Sequence, residues 1–285
     1  MRHALLQLKP EKGNVERNLA RLLSRLLELR EENIEVAVAP EAYLTGYFLQ
    51  GGVRELAMEA RQLEERLLEW HTQHYQRPLD LIVGFYERDG GDYYNSAAYF
   101  ELGGRGLLHL HRKIFLPTYG VFDEERFLGR GHGLASFDSR FGRAAILICE
   151  DFWHSVTATI AALQGAQIIY VPSASPARDF TGATPGNVGR WATLTQAISG
   201  EHGLYVALAS LAGSEAGKMM SGGSLLSGPE GEILARAEAF GEVALIADVD
   251  FERIPPVRYD NPLLADLKAG LPLIFPELRQ IVEEL

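Results

Sequence analysis

One thiol and three separated charged side chains hold most of the chemical promise of this chain. Cys149 is the single cysteine among 285 residues, and it ends the apolar run Ala144-Ala145-Ile146-Leu147-Ile148. Glu150 and Asp151 follow at once, and a helical pattern from Ser155 to Gln164 is stopped by Gly165. A strand–Cys–helix junction holds a side chain at the mouth of an α/β sheet, where reactive groups are placed. Glu41 follows the apolar stretch Val36–Pro40, and Lys113 follows Leu107–His111, so both also stand just past strand ends. Glu124 lies in Tyr119-Gly120-Val121-Phe122-Asp123-Glu124-Glu125-Arg126-Phe127. Each residue alone has a plainer reading: a buried core thiol, a solvated loop glutamate, a surface lysine.

Together they form a chemical set. A thiol near its reference pKa of about 8.5 is only a few per cent thiolate at neutral pH. A base beside it takes the proton, and a cation beside it favours the thiolate. The lysine then faces a developing oxyanion, and the protonated glutamate delivers a proton to a leaving nitrogen. A second glutamate fixes the ammonium. That chemistry needs neither metal nor organic cofactor.

Hydrophobic periodicity supplies the elements that must carry these groups. Leu19, Leu22, Leu23, Leu26 and Leu27 recur at helical spacing behind a candidate N-cap, Asn14. Further helices are expected over roughly 53–76 and 187–202, the latter stopped by Gly203. Strands are expected at 36–39, 81–86, 96–101, 107–111, 168–171, 205–209, 223–226, 233–237 and 243–249. Asp89-Gly90-Gly91-Asp92 and Pro229-Glu230-Gly231-Glu232 read as turns. Strands and helices alternate early and late around a hairpin-rich middle, which implies mixed sheets. So many strands overfill one open sheet. The expected fold is therefore α/β, a four-layer α-β-β-α sandwich with two mixed sheets packed face to face. With no linker or repeat, residues 1–285 read as one domain.

Composition narrows the function classes. A net charge of −11 argues against a nucleic-acid or anionic-membrane partner, since both call for concentrated positive charge. No run reaches the ~18 apolar residues of a membrane span. The N-terminus carries no signal-peptide pattern, and a lone cysteine fits a reducing compartment, so a cytoplasmic location is expected. His109 and His111 share a strand face, and His71 and His74 share a helix face, but neither pair has recognisable further metal ligands. No Gly-x-Ser-x-Gly elbow, P-loop or dinucleotide-binding glycine fingerprint is present.

The segments around Glu41, Lys113 and Cys149 resemble those of the carbon–nitrogen hydrolase, or nitrilase, superfamily, whose catalytic set is Glu-Lys-Cys. The similarity runs along nearly the whole chain. It includes Gln7-Leu8-Lys9-Pro10, Tyr94-Asn95-Ser96-Ala97, Ile169–Pro176 and Gly222-Gly223-Ser224 with Ser227-Gly228-Pro229-Glu230-Gly231. Phe115–Glu124 and Cys149-Glu150-Asp151-Phe152-Trp153 look most like the glutaminase domain of glutamine-dependent NAD synthetases. That likeness implies catalytic roles for Glu41, Lys113, Cys149 and Glu124, with Tyr119, Glu150 and Ser175 lining the substrate pocket. Thr118 departs from the usual Asn of that branch. The chain stops at Leu285 without an ATP-using synthetase domain. Ser221-Gly222-Gly223-Ser224 lacks the residues of an ATP-pyrophosphatase loop.

The expected substrate is a small non-peptide amide, glutamine-like or aliphatic. N-carbamoyl amino acids and nitriles are the alternatives. A different class is a glutaminase subunit supplying ammonia to a separate synthetase partner, or a binding subunit that kept only the fold. The resemblance also implies a homodimer or higher homo-oligomer, to which Leu273–Leu285 could contribute.

Overall fold

A computed structural model describes the backbone of residues 1–285 and every side chain except that of residue 50. In chain order the elements are β1 (Arg2–Gln7), α1 (Val15–Glu28), β2 (Val36–Val38), α2 (Val53–Leu56), α3 (Ala60–Trp70), β3 (Leu79–Asp89), β4 (Asp92–Leu102) and β5 (Gly106–Arg112). There follow β6 (Phe137–Asp138), β7 (Arg143–Ile146), α4 (Glu150–Trp153), α5 (Ser155–Leu163), β8 (Ile168–Ser173), α6 (Gly186–His202) and β9 (Tyr205–Ser210). The chain closes with β10 (Ala212–Glu215), β11 (Lys218–Ser221), β12 (Leu225–Ser227), β13 (Ile233–Arg236), β14 (Val243–Asp248), α7 (Ile254–Asp260) and α8 (Leu263–Glu284).

Two six-stranded sheets form, ordered β14-β1-β2-β3-β4-β5 and β13-β12-β9-β8-β7-β6. Each is mixed: β1-β2-β3 and β7-β8-β9 are parallel, and the outer strands are antiparallel. Side-chain alternation produces the layers. In β1, Ala4 and Leu6 join one core with Leu19, Leu22 and Leu26 of α1 and Leu63 and Leu67 of α3. Leu5 between them faces the second core, with Val36, Val38 and Ile82 from its own sheet and Ile146, Ile169 and Ala207 from the other. That same core continues to Ala158, Ala161 and Ala162 of α5 and to Trp191 and Ile198 of α6. The expected α-β-β-α sandwich is the result.

Three features depart from the sequence reading, the first of them for a clear reason. The single helix expected over 53–76 is interrupted, because Met58 pairs with β3: its N–H donates to Tyr86 O at 3.1 Å and its carbonyl accepts from Arg88 N at 2.9 Å. Helix α3 restarts behind a capping box of Glu59 and Gln62. A small separate hairpin, β10–β11, occupies the stretch between β9 and β12. Helix α8 runs through Pro272 and Pro276, residues that ordinarily discourage a helix. It packs on α5 and α6, and beyond them Leu273, Phe275, Leu278, Ile281 and Val282 are exposed.

One close approach matters to the site. A Cβ at Gly84 of β3 would lie 2.3 Å from Pro40 O and 2.7 Å from Glu41 Cα, both backbone atoms. Only glycine lets β3 lie against the turn that carries Glu41. Gly84→Ala is expected to destabilise the fold by about 1–3 kcal/mol and to lower activity well beyond that of an alanine introduced at solvent-exposed Gly90. Thermal melts and rate assays on the two variants check this.

Candidate active site

The four charged and nucleophilic residues meet just past the carboxyl ends of β2, β5 and β7, the end at which ligands of α/β sheets bind. Glu41 arrives from β2, Lys113 from β5 and Cys149 from β7. Glu124 comes from the loop that follows β5, and all four are buried. Lys113 is wholly inaccessible, and its Nζ donates to Glu41 Oε1 and to Glu124 Oε1, each at 2.7 Å. Asn95 Nδ2 donates to the same Glu41 Oε1 at 2.8 Å, and Ala174 N donates to Glu41 Oε2 at 2.7 Å. Glu41 is thus held at both oxygens. The Tyr47 hydroxyl donates to Glu124 Oε1, and the Tyr47 ring lies 5.8 Å from Lys113 Nζ.

Cys149 adopts φ 45° and ψ −99° at the start of α4. A non-glycine residue there stores strain of order 1–3 kcal/mol. Flanking structure fixes it: Cys149 N donates to Pro172 O at 3.0 Å and Asp151 N donates to Ile148 O at 2.9 Å. Glu41, Lys113 and the Ala174 N–H all act on the ionisation of the thiol. Ser173 Oγ donates to Sγ at 3.5 Å.

The electrostatics define the resting state. Burial, then the Glu41 charge, push the Cys149 thiol well above its ordinary range, and Lys113 offsets this only in part. The ammonium is divided between two carboxyl groups, so its pull on the sulfur is diluted and the thiol rests neutral. For Lys113 itself burial favours the neutral form, but Glu124 and Glu41 outweigh it and hold the ammonium charged. Glu124 is raised to about 7 by burial, against the pull of Lys113 and with a push from Glu41. The arrangement suits a thiol deprotonated by an adjacent base during attack.

Asp151 supplies a support that sequence inspection overlooks. Oδ1 accepts from Ile114 N and Phe115 N at 2.9 Å each, and Oδ2 meets His111 Nε2 at 2.8 Å. One fully buried carboxylate thereby ties the chain after Lys113 to the chain after Cys149. His111 is engaged there, and His109 stacks on Phe137 with centroids 4.3 Å apart. Asn95 is the other missed residue, and its signal was a polar pair, Asn95-Ser96, inside an otherwise apolar strand.

The three expected pocket residues lie around this centre in different ways. Tyr119 is half exposed, and its hydroxyl lies 3.0 Å from both Glu150 oxygens. Burial and Glu150 together push that hydroxyl up to about 12. Ser175 is buried, and its hydroxyl accepts from Asn187 Nδ2 at 2.8 Å. Two surface cavities flank the Tyr119 loop. One of about 350 Å³ is lined by Tyr119, Glu150 and His154. The other, of about 360 Å³, is lined by Phe122, Arg178, Lys218 and Met219. Arg178 Nε is buried without a hydrogen-bond partner among the described residues.

The α-β-β-α fold and a buried Cys-Glu-Lys centre define a hydrolase architecture that comparison makes specific. The family model for carbon-nitrogen hydrolases matches residues 2–259. The chain belongs to the carbon–nitrogen hydrolase family and is an enzyme acting on non-peptide carbon–nitrogen bonds. It is 29% identical over 270 residues to the glutamine-dependent NAD(+) synthetase of Thermotoga maritima, covering 92% of this chain and 44% of that protein. The chain thus spans less than half the length of that relative. It is 27% identical to the omega-amidase NIT2 of Bos taurus, over 95% of this chain and 96% of that one. Its fold matches a carbon–nitrogen hydrolase from Helicobacter pylori with a TM-score of 0.82 and 25% identity, over 93% and 94% of the two chains. Among the described residues no helix is long and apolar enough to cross a membrane.

Proposed function

We propose that this enzyme hydrolyses the amide of a small, glutamine-like molecule through a thioester on Cys149. The observation that carries the chemistry is Lys113 Nζ bridging Glu41 and Glu124 at 2.7 Å each, beside a buried neutral thiol. Glu41 takes the Cys149 proton as sulfur attacks the amide carbon. Lys113 and the Glu150 N–H receive the oxyanion. Glu41 returns the proton to the leaving nitrogen, the C–N bond breaks, and ammonia departs. Water then attacks the thioester with Glu41 as base, and the carboxylic acid and thiol are restored. Such acid–base assistance contributes roughly 10²–10⁴ in rate. Glu124 holds Lys113 in place throughout. Residues 1–285 act in this reading as one catalytic unit, in a reducing cytoplasm that keeps the thiol free.

The charge distribution at the mouth supports an amino-acid-like substrate over a plain aliphatic amide. Tyr119 and Glu150 offer acceptors for an ammonium group, with Ser175 deeper in the wall. Arg178 acts on the Tyr119 hydroxyl electrostatically, and it lines the neighbouring cavity as a cation for a carboxylate. Opposite charges on two sides suit a zwitterion. The exposed apolar stripe of α8 supports a homodimer, which light scattering checks.

Ammonia release from glutamine, aliphatic amides, N-carbamoyl amino acids and nitriles decides the substrate. Glutamine-like amides are expected to turn over fastest. Arg178→Ala is expected to raise KM for them about 10–100-fold, the loss of one charged hydrogen bond, with little effect on an aliphatic amide. Turnover of carbamoyl compounds or nitriles alone would reject this substrate class. The likeness to glutamine-dependent synthetases supports a second reading, ammonia supply to a separate synthetase. Glutamine turnover that appears only when such a partner is added would favour it.

A further inference from the structure

We propose that Glu215, on the β10–β11 hairpin, is a positioning residue for the reaction, acting on Lys113 and Glu124 through the loop that carries Tyr47. The inference rests on the catalytic reading above for its activity readout. Residues 43–49 run without regular structure through buried surroundings, so their backbone N–H groups need partners from elsewhere. Glu215 supplies two of them from 167 and 168 positions along the chain: Oε1 accepts from Phe48 N at 2.5 Å, and Oε2 accepts from Tyr47 N at 3.1 Å. Gly46 admits the carboxylate, since a Cβ there would lie 3.0 Å from Glu215 Oε2. On the other side Tyr86 OH donates to Tyr47 O at 2.7 Å. Tyr47 is therefore clamped at both its N–H and its carbonyl, and its hydroxyl is delivered to Glu124 Oε1, the oxygen that Lys113 also holds.

The same hairpin reaches the opposite wall of the mouth. Ala177 N donates to Met219 O at 2.7 Å, and Ser221 N donates to Ser175 O at 2.8 Å. Lys218 Nζ lies 4.4 Å from the centroid of the Phe48 ring. One hairpin, clasped by one carboxylate, thus fixes the Tyr47 loop relative to the Ser175–Ala177 wall. Loss of the clasp lets the Tyr47 hydroxyl drift from Glu124. That hydrogen bond favours ionised Glu124, so its loss lets Glu124 keep its proton to higher pH.

The test uses Glu215→Gln, Glu215→Asp, Tyr47→Phe and the Glu215→Gln/Tyr47→Phe double variant. Two readouts are taken: hydrolysis of an amide that wild type turns over, and the pH profile of Cys149 alkylation by iodoacetamide, followed by intact mass. Glu215→Gln is expected to lower kcat about 10-fold or more with little change in KM. The acid limb of its kcat profile should move to higher pH, as in Tyr47→Phe. Glu215→Asp should recover part of the loss. The double variant should be no worse than the poorer single by more than about 3-fold, because two residues in one network are not additive. The alkylation profiles of the two singles should shift together, and the double should shift no further. Multiplying losses, or a folded Glu215→Gln with wild-type kcat and alkylation profile, would overturn the proposal. If wild type hydrolyses no amide, the functional reading fails, and the alkylation profiles alone decide the role of Glu215. Should Glu215→Gln fail to fold, Glu215→Asp with Tyr47→Phe carries the same comparison.

Discussion

Cys149→Ala is expected to abolish ammonia release, with a loss on the order of 10⁴-fold or more, while the fold survives. The activity loss is large because no other group in the cluster can form the acyl intermediate. Glu41 and Glu124 are tied to Lys113, and the Ser173 hydroxyl is a far weaker nucleophile than a thiolate. What remains is transition-state binding by oxyanion donors, which leaves a small residue of catalysis. The stability cost is modest, because the substitution removes one sulfur atom from a site that touches the surface. The strained backbone at φ 45° persists, since Pro172 O and the Ile148–Asp151 turn hold it. Intact mass of wild type quenched during turnover should show an acyl adduct on Cys149, and the alanine variant none. Full hydrolysis by Cys149→Ala would refute the nucleophile assignment outright.

Lys113→Met has the second large effect, and it acts on stability as well as rate. The ammonium is the shared partner of two buried carboxylates. Removing one member of a buried ionic network costs about 3–5 kcal/mol, because the remaining charges lose compensation without regaining water. Rate is expected to fall about 10²–10³-fold or more, since in the proposed mechanism Lys113 is an oxyanion donor. The stability loss depends on pH with a definite sign. Without Lys113, burial and the Glu41 charge raise the folded-state pKa of Glu124 further above its unfolded one. Glu124 already stands at about 7 with the lysine present. A carboxyl group with a raised folded pKa favours folding only while protonated, so that support vanishes as pH rises. The melting-temperature deficit of Lys113→Met should therefore be small near pH 5 and large near pH 8. An equal deficit at both pH values would show that Lys113 contributes packing rather than charge compensation.

Much of this was legible in the linear chain. Strand periodicity placed Glu41, Lys113 and Cys149 just past strand ends, and the sandwich followed from too many strands for one sheet. These features are local: alternation and helical spacing depend on neighbours a few residues away. The interruption at Met58 was not legible, because its pairing with β3 competes with a strong helical pattern and wins only in the folded state. Asp151 and Glu215 were equally hidden, and Asn95 showed only as half of a polar pair in an apolar strand. Their roles come from backbone amides and carboxylates that lie 36 to 168 positions distant in sequence.

The sequence by itself singled out the groups to which the chemistry is assigned, since only one thiol exists and only certain charged residues interrupt apolar strand ends. Tertiary structure alone decided their protonation. A pKa depends on burial and on charges within a few ångströms, and both arise only when β2, β5 and β7 bring distant residues together. Cys149 therefore reads in the sequence as a thiol that a nearby lysine could ionise. In the fold it is a neutral thiol, because burial and the Glu41 charge hold its proton on, and the lysine, shared between Glu41 and Glu124, offsets them only in part.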